Sequence, residues 1–166
     1  MTGSRPQDGF ARLGAAINRE LDRIERVVEE ARDGLEQFAE KRPSLLELRG
    51  LGDVVHDFYT SVERVFERVS VEFDGGRPRG PAWHQELLES MTLEIPDRRP
   101  PVVAVQTARQ LEEMMRFRHL FRNVYGFELE WGRVRPLLER MPALWGAVHA
   151  ELNGFVRFLA EAARPD

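Results

Sequence analysis

A chain of 166 residues, 42% hydrophobic and 31% charged, has the composition of one folded domain, and the absence of cysteine excludes disulfides, thiolate metal sites and cysteine nucleophiles. The net charge of −4 argues against generic nucleic-acid binding. The opening MTGSRPQDGF lacks the charged-then-apolar pattern of a secretion signal, and no apolar run nears the roughly 20 residues of a membrane helix, so the expectation is a cytoplasmic protein with no membrane span.

The first predicted element is a long helix over about residues 8–42. Phe10, Leu13, Ile17, Leu21, Ile24, Val28, Ala31, Leu35 and Phe38 recur at steps of three and four, with Arg, Glu and Asp between them. Pro43 stops the helix. Ser44 and Glu47 form a capping-box pattern that opens a second helix, about 44–73, with Leu48, Leu51, Val55, Phe58, Val62, Val65 and Val69 on its stripe. DGGRPRGP (74–81) is a turn-rich loop.

A short helix follows at about 82–91. Its Trp83-His84 pair reads as a packing corner that could also wall a cleft. Arg77, Arg79, Arg98 and Arg99 fall in loops, where solvation is expected. A fourth helix spans about 102–125, from Pro101 to a terminating Gly126. From about 131 to 163 the chain is helical again, with a break or kink expected at Pro136 and Pro142, and Leu144, Val148, Leu152, Phe155 and Phe158 as its stripe. Four or five helices on short loops, with no repeat and no interior boundary, give an all-α antiparallel bundle as one domain, 1–166.

Serine-triad, zinc and phosphate-loop motifs are missing, and His56, His84, His119 and His149 have no metal-ligand spacing, so no metal and no cofactor are expected. Charge is unevenly spread: residues 77–135 carry 10 basic and 8 acidic side chains and form the only net-positive stretch. Within it, RFRHLFRNVYGFELEW (116–131) crowds Arg116, Arg118, His119, Arg122, Asn123 and Tyr125 into about three turns. On a helical wheel Met114, Phe117, Phe121 and Val124 share a core face. Ala104, Ala108, Leu111 and Met115 form a second strip that runs into Arg118, Arg122 and Tyr125. That layout predicts a subunit-interface strip leading into a polar cleft. Helix-terminus chemistry accounts for the same residues without a site, since Arg and His near a C-terminus complement the dipole.

Arg118, four residues, Asn123, one residue, Tyr125 resembles the HepT signature of the HEPN superfamily: arginine, four residues, histidine, one residue, tyrosine. His119 fills the polar position after the arginine, and FRHLFRNVYGFEL with WHQELLESM and RRPP upstream is similar to a HepT-like branch. The likeness runs from about Trp83 to Phe158 in sequence and over the whole chain in helix layout. It implies a homodimeric helical bundle, a toxin that cuts RNA without a metal, paired with a nucleotidyltransferase antitoxin that adenylylates the motif tyrosine. By resemblance Arg118 would bind the scissile phosphate and Tyr125 would be the modification target; Arg118 and Arg122, beside Tyr125, could hold a nucleotide phosphate, and Arg118, His119, Arg122 and Asn123 are the candidate catalytic residues.

The chemistry is intelligible. RNA is cleaved by its own 2′-hydroxyl once a group accepts that proton and cations stabilise the phosphorane, and arginine's fork suits phosphate oxygens. Where the signature has histidine this chain has Asn123, which cannot take a proton, and His119 is the substitute expected to handle it. The rival readings are a catalytically inactive module that docks a nucleotidyltransferase and presents Tyr125, and a bundle with an unrelated scaffolding role.

Overall fold

The computed structural model describes residues 6–123 and 128–164. Five helices follow in order: α1 (Pro6–Gln37), α2 (Leu45–Phe73), α3 (Trp83–Ser90), α4 (Val105–Asn123) and α5 (Trp131–Ala162). Among the described residues the only pairing of strand type is an isolated bridge between Ile95 and Arg99, and no helix is long and apolar enough to cross a membrane. The protein is an all-α bundle.

Cross-helix contacts give the directions. Early α1 meets late α2 at Gly9 and Glu72, and late α1 meets early α2 at Gly34 and Leu51. Between α1 and α5 the contacts run Gly14 with Val156, Glu25 with Trp145, and Phe38 with Trp131. Between α4 and α5, Thr107 meets Glu151 and Glu113 meets Arg140. Gly52 and Thr60 of α2 meet Phe121 and Arg118 of α4. Each of these four pairs is antiparallel, so α1, α2, α4 and α5 form a four-helix ring, with α2 and α5 also touching across it and α3 laid across α2 and α4.

The capping box forms as its spacing predicts: the Glu47 amide donates to Ser44 Oγ (3.3 Å) and the Ser44 amide to Glu47 Oε2 (2.7 Å). These bonds hold the Glu47 carboxyl below its ordinary value. The α1 stripe is buried from Leu13 to Phe38, save the half-buried Leu35, although the helix itself ends at Gln37, short of Pro43.

Four expectations need correction. First, α4 starts at Val105 rather than 102. Val102 and Val103 are buried in the preceding segment, and both donate their amides to the Met91 carbonyl (2.8 and 3.2 Å). Second, α5 is continuous through Pro136 and Pro142. A proline inside a helix costs about 3 kcal/mol, which is offset here by burial of the full stripe from Val134 to Leu159 against α1, α2 and α4.

Third, Arg99 is buried rather than solvated. Its Nε and Nη2 donate to the two Asp74 carboxylate oxygens (2.9 and 2.8 Å), and its remaining protons reach the carbonyls of Ser90, Leu93 and Pro100. One guanidinium thereby ties the loop after α2 to the segment before α4, around a turn whose Asp97 has φ of 59°. Fourth, the strip expected at a subunit interface lies mostly in the chain's own core. Leu111 is 0% and Ala108 8% exposed, while Met115 is half-buried and Ala104 exposed outside the helix. The reason is that α4 sits between α2 and α5 and therefore buries a wide arc, Thr107, Ala108, Leu111, Met114 and Phe117.

Candidate functional site

The C-terminal half of α4 is brought onto α2 by a close approach. Gly52 is buried under the Phe121 ring, and a Cβ there would sit 2.8 Å from Phe121 Cε2, too near to fit without displacing the ring. This contact sets the register in which Arg118, one turn earlier, faces α2.

Arg118 points inward. Its Nε donates to Thr60 Oγ1 (3.0 Å), and its Nη2 lies 3.7 Å from Glu63 Oε1, leaving the side chain only 21% exposed. Glu63 is itself buried, at 3% exposure, on the apolar side of α2. Its other oxygen, Oε2, lies 2.6 Å from His84 Nδ1 of α3. A carboxylate can only accept, so Nδ1 carries the proton in this bond. The His84 ring stacks on Trp83 (3.5 Å between centroids), and the Arg77 guanidinium lies over the Trp83 ring at 4.2 Å. Buried Glu63 thus joins a guanidinium from α4 and an imidazole from α3.

Beside this group lies an open cleft of about 400 Å³ between α3 and α4, lined by Pro81, Ala82, His84, Gln85, Met115, Arg116, Arg118, His119 and Leu120. His119 is exposed on it, and Asn123 one turn on places its amide nitrogen 3.4 Å from His119 Nδ1. The structure therefore brings Arg118 and His119 to one cleft and couples Asn123 to His119. Arg122 does not line that cleft; it is exposed on the side toward His56. Tyr125 lies outside the described residues, as does Val124 of the expected core face.

Two further α2 groups face the same end of α4. The Tyr59 hydroxyl is buried with no hydrogen-bond partner of good geometry. Burial and then the neighbouring Glu63 charge hold its pKa far above the usual phenol value, with Arg118 pulling the other way. His56, its Nδ1 also buried without a partner, is held below the ordinary histidine value of 6.5. Desolvation is the main cause, followed by the charges of Arg122 and Arg118; Asp57 and Asp53 oppose them.

The sign of the resulting pH effect is fixed. The folded state keeps His56 neutral while the unfolded chain takes up a proton, so His56 costs the fold nothing above the ordinary histidine value and progressively destabilises it as pH falls from there through the depressed value. Urea unfolding at about pH 7.5 and about pH 5 should show a smaller acid-induced loss for His56→Gln than for the wild type. Equal losses would mean that His56 is not desolvated as described.

Glu63, Thr60, Tyr59 and His56 were not picked out as site residues from the sequence, and His84 only as a wall. One signal was present: Glu63 stands four residues after Tyr59 and three before Phe66, a carboxylate on a buried stripe. The exposed His149, which lies against Trp145 and Asn153 on α5, does not line the cleft.

With that geometry in place, comparison with known proteins gives one match. A family model described as HepT-like protein covers residues 50–159, a span that includes α3, α4 and every residue of the cleft. No curated protein and no solved structure matches the chain.

Proposed function

Because the chain belongs to the HepT-like family of the HEPN superfamily, we propose that it is the toxin of a toxin–antitoxin pair. On this reading it is a metal-independent endoribonuclease of the cytoplasm, neutralised by a nucleotidyltransferase that adenylylates Tyr125. The observation that carries the reading is the convergence of Arg118 and His119 on one cleft. Arg118, held by Thr60 and Glu63, offers its remaining N–H edge to a phosphate without reorganising. His119 supplies an imidazole, which can both take and give a proton. With the 2′-hydroxyl of the substrate as nucleophile, the reaction needs a proton acceptor, a proton donor and a cation for the phosphorane, all of which side chains can provide.

Arg122 lies outside the cleft and is better placed to meet a phosphate on the His56 side of the helix. The homodimer implied by the family would have to use a surface other than the Ala104–Met115 strip, whose central residues are buried in the bundle.

One observation favours a second reading. Asn123 stands where the family signature has histidine, and it binds His119 rather than a proton. A chain disabled for cleavage in this way would keep the bundle and serve as a docking module that presents Tyr125 to the transferase.

Purified protein incubated with single-stranded RNA in excess chelator should yield fragments if the nuclease reading holds; intact RNA would leave the docking reading. Incubation with the cognate nucleotidyltransferase and ATP should add adenylate mass to the wild type and none to Tyr125→Phe. Unchanged labelling of the phenylalanine variant would move the target elsewhere.

A further inference from the structure

Two imidazoles line the cleft, one from α3 and one from α4, and only the α4 residue lies within the signature segment. The α3 residue is the better supported. His84 is fixed through Nδ1 by the buried carboxylate of Glu63, at 2.6 Å, and through its face by Trp83, itself covered by Arg77. With Nδ1 committed as a donor, the basic lone pair of the neutral ring is at Nε2, and 27% of the side chain remains exposed. A carboxylate behind an imidazole stabilises the imidazolium that forms when the far nitrogen takes a proton. Across the cleft, Asn123 holds His119 at Nδ1, leaving its Nε2 free. An amide can donate to a bare Nδ1 or, turned over, accept from a protonated one, so it serves His119 in both states.

We propose that His84, positioned by Glu63, is the proton acceptor of the cleft and that His119 is the proton donor, so that one chain supplies both halves of the acid–base pair and the histidine missing at residue 123 is not required. The inference rests on the nuclease reading above. In the step, the 2′-hydroxyl of a ribonucleotide gives its proton to His84 Nε2 while the 2′-oxygen bonds to phosphorus. The bond from phosphorus to the 5′-oxygen breaks, and that oxygen takes the proton from the His119 imidazolium. The products are a 2′,3′-cyclic phosphate and a 5′-hydroxyl. His84 ends protonated and His119 neutral, and exchange with water restores both. Arg118 stabilises the charge on the phosphorane, and Glu63 is a positioning residue that touches no substrate.

The purified protein and a fluorescent single-stranded RNA test this assignment. His84→Gln keeps an N–H for Glu63 but cannot take a proton, so it should slow cleavage roughly 100- to 10,000-fold with an unchanged melting curve. In His84→Ala, added imidazole should restore part of the lost rate. Glu63→Gln should move the acidic limb of the pH–rate profile, which a purely structural carboxylate would leave in place. A wild type that cleaves while His84→Gln cleaves equally fast overturns this assignment alone, and so does a folded His84→Ala that imidazole fails to rescue. A wild type that leaves every RNA intact overturns the nuclease reading and this assignment together.

Discussion

The Arg118→Ala protein is expected to cleave RNA roughly 100- to 1,000-fold more slowly than the wild type, the usual effect of removing one fixed donor from a developing oxyanion. Arg118 is held by Thr60 at 3.0 Å and by the buried Glu63, so under the proposed nuclease function its outer N–H groups would meet the phosphate without a search. Arg118→Lys should recover little. A single ammonium cannot hold Thr60 and Glu63 and also present a planar fork to phosphate oxygens. Circular dichroism of both variants should match the wild type, because Glu63 keeps His84 as a partner.

The companion substitutions sort the proton carriers. His119→Ala should abolish cleavage, whereas Asn123→Ala should weaken it modestly by releasing the His119 ring. An inert wild type that gains activity on Asn123→His would instead mark a member kept for docking. Wild-type rates in both Arg118→Ala and His119→Ala would remove this cleft from the reaction.

The second large effect is on folding. Leu111→Glu should unfold or severely destabilise the protein, rather than release a folded monomer from a dimer. Leu111 is 0% exposed at the centre of the α4 face, between α2 and α5. The substitution loses the buried leucine, worth about 2–5 kcal/mol, and places an unpaired carboxylate in the core, a further cost of similar size. Against a typical domain stability of about 5–15 kcal/mol, the sum removes most or all of the margin. Thermal melts followed by circular dichroism check this, with Ala104→Glu, at an exposed position before α4, as the tolerated control. A Leu111→Glu protein that scatters as a compact, helical monomer would return that strip to an intersubunit role.

What the sequence determined by itself was local. The α1 and α2 stripes, the Ser44–Glu47 cap, the helical character of 131–162 and the crowding of Arg118, His119 and Asn123 near the end of α4 all follow from side chains within a few turns of one another. A repeat of three and four is written directly into such a stretch. The family signature is local in the same sense: Arg118, Asn123 and Tyr125 stand within eight residues, and their spacing points to the HepT-like family.

What only the tertiary structure decided depends on pairings between distant elements. Whether Leu111 faced a partner subunit or its own chain turned on α4 lying between α2 and α5, a matter of packing that a wheel drawn on one helix does not contain. The two prolines of α5 read as breaks because propensity counts the lost hydrogen bonds and not the burial of the stripe around them. Arg99 read as solvated because its partner, Asp74, lies 25 residues away. The cleft shows the same limit most clearly: Arg118 meets Thr60 across 58 residues and His84 meets Glu63 across 21. A charge on a buried stripe could mark Glu63 as needing partners, but only the antiparallel seating of α4 on α2, set where Phe121 covers Gly52, chose which partners it received.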